Sequence, residues 1–141
     1  MIYLGADHQG YNLKEKIKSY LNELGFIFED MGAHGLDSQD DYPDFAKEVC
    51  EQILHDGLAN FGILVCGTGI GMSISANKYK NIRAALCCSP EMARSAKEHN
   101  NANVLCLSKD ADYEKTVKAF LESKFRGEER HVRRIKKISN S

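Results

Sequence analysis

The chain has 141 residues, enough for one domain with a real core, and its 19 Lys and Arg against 20 Asp and Glu give a net charge of −1. That balance leaves no chain-wide electrostatic footprint for nucleic acid, and no apolar run approaches the ~20 residues needed to cross a bilayer, so neither a nucleic acid nor a membrane is expected as partner. The cysteines, at 50, 66, 87, 88 and 106, are odd in number and form no CxxC pair, which argues against a disulfide framework and a zinc knuckle and points to a reducing cytoplasm.

The opening segment MIYLGADHQG has no basic n-region and no cleavage site, so no signal peptide is expected. Ile2 to Ala6 reads as a first strand, with Asp7-His8-Gln9-Gly10 at its carboxyl end. Residues 11–24 have helical spacing, with Leu13, Ile17, Tyr20, Leu21 and Leu24 on one face, and Gly25 ends that helix. Phe26 to Asp30 is a second strand, followed by a polar loop from Gly32 to Asp41. Asp41-Tyr42-Pro43-Asp44-Phe45 opens a helix to about His55, with proline near its first turn. Phe61 to Val65 is a continuous apolar run, which suits a buried parallel strand. The next helix is expected over 72–78. Ile82 to Cys87 is a fourth strand. Ser89-Pro90 starts a helix ending near His99, Asn103 to Leu107 is a fifth strand, and Asp112 to about Phe125 is a helix. The tail from Gly127 to Ser141 is basic and expected to be partly helical.

Strand and helix alternate through short connections without repeats. The pattern predicts an α/β fold, a doubly wound parallel sheet of five strands in a single domain over 1–141 with a C-terminal helical tail. Right-handed crossovers put the strand tips on one edge. On this reading Cys66, the Asp7-His8 pair and the His99-Asn100 segment share that edge.

The stretch between the third strand and its helix carries the chemistry. Cys66 ends the strand, and Gly67-Thr68-Gly69-Ile70-Gly71 turns the chain into a helix. Glycines let a backbone approach a ligand closely, and a helix N-terminus offers unpaired N–H groups, so the turn suits a phosphate or a developing oxyanion. A plain strand–helix turn, with glycine for sterics alone, is the alternative. No third glycine follows for a dinucleotide fingerprint, and no Gly-Lys-Ser/Thr follows for a Walker A loop. Ligands of open α/β sheets bind at carboxyl ends of strands, and a thiol beside a helix N-terminus is favoured as thiolate.

Other polar groups have two readings each. Asp7-His8 is an acid/base or ligand pair, or else a helix cap with a surface histidine. His99-Asn100-Asn101 holds a second acid/base histidine, or merely ends a helix. Asp41-Tyr42 contacts a ligand, or supplies a cap and a packing aromatic. Arg130, His131, Arg133 and Arg134 grip a phosphate, or form a solvated basic tail. No His/Glu cluster at ligand spacing appears, so no metal is expected.

The segments GADHQGYNLKE, DYPDFA, GILVCGTGIGMSISANK, RAALC, HNNANVL and GEERHVRRIKKI, in this order, resemble the ribose-5-phosphate isomerase B and galactose-6-phosphate isomerase family over essentially the whole chain. The resemblance implies a Rossmann-like sheet and an aldose–ketose isomerase without a cofactor, interconverting ribose 5-phosphate and ribulose 5-phosphate in the pentose phosphate pathway. A six-carbon sugar phosphate, of allose or galactose, is the rival substrate, and a non-catalytic sugar-phosphate-binding module is the rival class. By the same resemblance Cys66 matches the base. Gly67, Thr68, Gly69 and Gly71 match the loop that stabilises the enediolate, with the Thr68 hydroxyl placed to move protons between oxygens. Asp7 and His99 match the pair that opens the furanose ring. His8, Arg130 and Arg134 match the phosphate grip, and Asn100 and Tyr42 further substrate contacts. The family's site lies between two subunits, which implies a homodimer or homotetramer with His99 supplied by the partner. Part of the family lacks the cysteine and has a glutamate after the glycine loop; here that position is Met72. Many members also carry a phosphate-holding arginine where this chain has Asp110, next to Lys109.

Overall fold

The structure is a computed structural model and describes residues 1–57 and 59–139. Its strands are β1 (Ile2–Ala6), β2 (Phe28–Asp30), β3 (Phe61–Cys66), β4 (Ala84–Leu86) and β5 (Val104–Ser108). Its helices are α1 (Tyr11–Leu24), α2 (Tyr42–Asp56), α3 (Ile70–Ala76), α4 (Pro90–Asn100), α5 (Tyr113–Glu122) and α6 (Glu129–Ser139). The expected α/β alternation is present, and the basic tail is helical as far as Ser139. Asn140 and Ser141, the last of that expected tail, lie outside the described residues. No helix of the described residues is long and apolar enough to cross a membrane.

At β2 and α3 a cap or a side-chain bond explains why the element ends differ from expectation; β4 is shorter, at Ala84–Leu86, and α5 ends earlier, at Glu122. Gly25, at φ 81°, closes α1 with its N–H on the carbonyls of Leu21 and Asn22. The Phe26 N–H then returns to the Leu21 carbonyl at 3.0 Å, so Phe26 completes a helix cap instead of starting β2. Helix α3 begins at Ile70, two residues before the expected start, because Gly69 takes φ 80° as its N-cap. It ends at Ala76, where the Asn77 side chain turns to bond the backbone of Ala84 in both directions, at 2.9 and 2.8 Å.

All strand pairs are parallel, in the order β2-β1-β3-β5-β4. Alternate side chains enter two apolar layers, as a doubly wound sheet requires. Ile2, Leu4, Ile63, Val65, Leu105 and Leu107 pack with α1, α4 and α5. Tyr3, Leu64, Cys66, Val104 and Cys106 pack with α2 and α3. The chain winds outward from β1 to β2, then crosses back to β3, so the topological switch lies between the carboxyl ends of β1 and β3.

The register corrects one expectation. Cys66 pairs with Ser108 at the carboxyl edge, whereas Gly62 pairs with Val104 at the amino edge. The His99-Asn100 segment immediately precedes β5 and therefore lies at the amino edge of its own chain, away from Cys66 and Asp7. In a parallel sheet every helix-to-strand connection sits opposite the strand-to-helix connections.

Lys97 on α4 is 3% exposed, with Nζ 3.5 Å from the centre of the Phe61 ring and 4.8 Å from that of Phe120. Burial, aided by the Arg83 charge, pushes its ammonium down to about 8, while the ring faces favour the cation. The unfolded lysine titrates near ~10.4, so between about 8 and 10.4 the unfolded chain holds more protons and this group makes stability rise with pH. Wild-type urea midpoints should therefore gain on those of Lys97→Met between about pH 7.5 and 10; parallel midpoints would mean that the rings offset the burial completely.

Candidate active site

A cavity of about 690 Å³ opens at the switch point. Asp7 and Gln9 reach it from the end of β1, Cys66 from the end of β3, and Gly67, Thr68, Ile70, Gly71 and Ile74 from the loop and α3. Tyr42 at the start of α2 and Lys109-Asp110 after β5 complete the wall.

Cys66 is 4% exposed, at the cavity floor. The other cysteines are differently placed. Burial pushes the thiol of Cys50 up to about 12 and that of Cys87 up to about 11, and raises Cys106 well above the usual range, which keeps all three as neutral packing groups. Cys88 is exposed and lies outside the cavity.

The turn after Cys66 is shaped by two glycines. Gly69 has φ 80°, and a Cβ there would stand 2.6 Å from Leu86 Cδ1 and 2.9 Å from the Leu107 carbonyl carbon. A Cβ on Gly71 would stand 2.5 Å from the Tyr42 ring, so the aromatic wall and the loop touch only because the side chain is missing. The Thr68 hydroxyl accepts the Ile70 N–H at 3.2 Å. The first helical bond of α3 runs from Ser73 N–H to the Gly69 carbonyl, at 3.1 Å, leaving the N–H groups of Gly71 and Met72 ahead of the helical ladder. Glycine is thus sterically required at this turn, and the donors ahead of the helical ladder lie beside the Cys66 thiol.

Asp7 lies at the turn that leads into α1, whose N-cap is Gly10 with no side-chain cap bond. The Asp7 Oδ1 accepts the N–H groups of Gln9 and Gly10, both at 3.0 Å, which sets the entry into α1. The carboxyl, 5% exposed, still lines the cavity. His8, beside it, is gripped by Asp40 from the loop before α2. Asp40 Oδ1 accepts the backbone N–H of His8 at 3.0 Å and lies 2.7 Å from its ring Nδ1. That bond raises the imidazole above its usual value, against the opposing effect of partial burial. Donor atoms of Asp7, His8 and Asp40 lie within 4.8 Å of one another, the one such grouping among the described residues. With Nδ1 engaged by Asp40, the grouping is accounted for as a hydrogen-bonded pair beside a turn.

His99, Asn100, Arg130 and Arg134 are not in this wall. The His99 ring stacks on that of His131, with centroids 4.6 Å apart and planes 19° apart, which joins the end of α4 to α6. His131 is buried, and burial lowers its imidazole. Arg130 pairs with Glu128, and Arg130 and Arg134 are both exposed on α6. The expected site is thus found as two groups in one chain: Asp7, His8, Tyr42, Cys66 and the glycine loop at the carboxyl edge, and His99, Asn100 and the arginines at the other. Sequence reasoning missed Gln9 and Asp40. Gln9 sits inside a motif already singled out, whereas nothing in the polar 32–41 loop distinguishes Asp40.

A thiol, a carboxyl, a hydroxyl and backbone donors around one cavity can move a proton off carbon and hold the resulting oxyanion. A family model described as Ribose/Galactose Isomerase matches residues 2–138. The chain is 43% identical to a probable ribose-5-phosphate isomerase B of Mycoplasma genitalium, over 97% of this chain and 92% of that protein. Identity to the ribose-5-phosphate isomerase B of Escherichia coli is 37%, over 98% and 93%. A crystal structure of a ribose 5-phosphate isomerase of Thermotoga maritima superposes with a TM-score of 0.93 at 49% identity, covering 99% of this chain and 97% of that one. The Mycoplasma genitalium ribose-5-phosphate isomerase B with bound ribulose-5-phosphate gives 0.93 at 43%, covering 99% and 93%.

Proposed function

This chain belongs to the ribose/galactose isomerase family, and from that premise we infer both its reaction and the residues that carry it. It is an aldose–ketose isomerase that interconverts D-ribose 5-phosphate and D-ribulose 5-phosphate. The observation that carries this reading is that one cavity, in a chain matched over 99% of its residues by a ribose 5-phosphate isomerase, brings together Asp7, Cys66, Thr68 and the glycine loop.

The sugar binds as a furanose, which Asp7 and His99 open by moving a proton onto the ring oxygen and off the anomeric hydroxyl. The Cys66 thiolate then takes the proton from carbon 2 and returns it to carbon 1. Between these steps the charge sits on the enediolate oxygens, where N–H groups of the 67–71 loop stabilise it. The Thr68 hydroxyl passes the proton between the two oxygens. Tyr42 and Asn100 contact the sugar, and His8, Arg130 and Arg134 hold the phosphate.

The split of these residues between two sheet edges supports a site completed by a second copy, which supplies His99, Asn100 and the α6 arginines. Apolar residues exposed on one chain, Ile70, Ile74 and Met92, between 47% and 58% exposed, support a homodimer or a homotetramer. Five free cysteines support a reducing, cytoplasmic setting.

Turnover on the 5-phosphate of ribose and the 6-phosphates of allose and galactose, measured side by side, tests the substrate. Ribose 5-phosphate should have the highest kcat/KM; a higher value for a six-carbon sugar overturns the assignment. Arg130 and Arg134, four apart on α6, share one helical face. Arg134→Ala should raise KM for ribose 5-phosphate by roughly ten- to a hundredfold, the loss of one charge-assisted bond of about 1.5–3 kcal/mol. An unchanged KM would show that α6 is only a solvated extension.

A further inference from the structure

Resting on that reading of the site, we propose that Asp40 is a positioning residue for the phosphate grip: its Oδ1 fixes the His8 ring so that Nε2 is turned toward the substrate phosphate. Asp40 comes from the loop between β2 and α2, 32 residues from His8 in sequence. One oxygen serves two donors of the same residue, the backbone N–H at 3.0 Å and the ring Nδ1 at 2.7 Å. The first sets where the His8 backbone lies and the second sets how its ring is turned. Two bonds to one acceptor leave the ring a single orientation, with Nδ1–H inward and Nε2 the remaining donor.

The burial of Asp40 decides its charge partner. Its side chain is 10% exposed, and Oδ2 is closed off from solvent with no donor among the described residues. A carboxylate held that way depends on the groups at its other oxygen for counter-charge, which favours the protonated imidazole. Within one chain the other charged groups facing His8, Asp7 at the end of β1 and Asp37 in the same loop as Asp40, act in the same direction, while Arg130 and Arg134 of the second copy oppose it in the proposed site. In the proposed site Arg130 and Arg134 of the second copy are permanent cations at the phosphate, and His8 adds a further positive charge there only while its ring is protonated. Asp40 is what makes His8 usable as a phosphate ligand above its ordinary titration range, near ~6.5.

Asp40→Asn tests this while keeping the shape. In proton NMR, the His8 C2–H, assigned with His8→Asn, should titrate at lower pH in Asp40→Asn than in wild type. This readout needs no turnover, so it stands even if ribose 5-phosphate proves not to be the substrate; loss of the substrate assignment would appear separately, as absent wild-type turnover. In steady-state assays, KM for ribose 5-phosphate should match wild type within about twofold near pH 6, where His8 is protonated in both, and exceed it by about tenfold near pH 8, with kcat within about twofold throughout. The second ionisation of the substrate phosphate, also near ~6, is common to both proteins and cancels. In a His8→Asn background the same Asp40 substitution should add nothing to KM. An unshifted His8 titration, a KM ratio independent of pH, or a further rise in KM on the His8→Asn background overturns the proposal.

Discussion

Cys66→Ala should lose isomerisation by a factor on the order of 10² to 10⁴, the usual share of a general base, while still binding ribose 5-phosphate. The substitution keeps Cβ and removes only the sulfur, so the loop that follows retains its path. Gly69 still packs on Leu107, Gly71 on Tyr42, and the Asp7 turn is untouched. The ring opening proposed for Asp7 and His99 needs no thiol and should persist. Wild-type enzyme should exchange the carbon 2 hydrogen of substrate with heavy water, and the variant should not. Exchange at the wild-type rate in Cys66→Ala would name another group as the base. Alkylation gives a second measure. Because Cys88 is exposed, iodoacetamide consumes a thiol that has no part in the cavity, so the experiment belongs in a Cys88→Ser background. There, inactivation should follow modification of Cys66, and ribose 5-phosphate should slow it. Cys50, Cys87 and Cys106 are buried and held neutral and should not compete.

The second large effect is a gain. Cys66→Ala and His99→Ala proteins, each inactive alone, should recover activity when mixed and allowed to exchange subunits. In a random mixture of dimers half are hybrids, and each hybrid has one site with both residues intact, so about a quarter of all sites revive. The yield distinguishes architectures: a site served by one chain gives no recovery at any ratio. Size-exclusion chromatography of each variant before mixing confirms that both still assemble, and mass spectrometry of the mixture confirms exchange. Chains that exchange and remain inactive would sink the shared site.

Much of the fold can be read from short stretches because the forces that set it are local. Gly25 stops α1 where φ must be positive, Pro43 marks the first turn of α2, and the apolar run 61–65 leads into a glycine turn that can only re-aim the chain. Lys14 is different. It falls beside the apolar face of α1, yet it is fully buried, with Nζ held by both oxygens of Asp30 at 2.7 and 2.8 Å. Helical periodicity has no sign for a cation that is buried because a carboxylate sixteen residues later meets it. Asp40 escapes for the same reason, since its partner is set by the crossover that lays the 32–41 loop over the end of β1. The placement of His99 was misread on a simpler point. The chemistry of the residue was visible, but the side of the sheet to which its helix returns follows from the parallel register, not from the histidine. Gly67, Thr68, Gly69 and Gly71 were legible at once because position, conformation and chemistry there lie within five residues of one another.

The two edges of the sheet are separated by the length of β3 and β5, six and five residues, or ~17–20 Å at ~3.3 Å per residue. In the proposed site, where the carboxyl edge of one copy meets the amino edge of another, catalysis becomes a property of abundance as well as of sequence. Far below the dissociation constant of the assembly, the rate per chain falls in proportion to concentration, and the total rate follows its square. Isomerisation then starts only after synthesis has carried the protein past a threshold. On that proposal, a newly made or diluted chain can be completely folded and still silent.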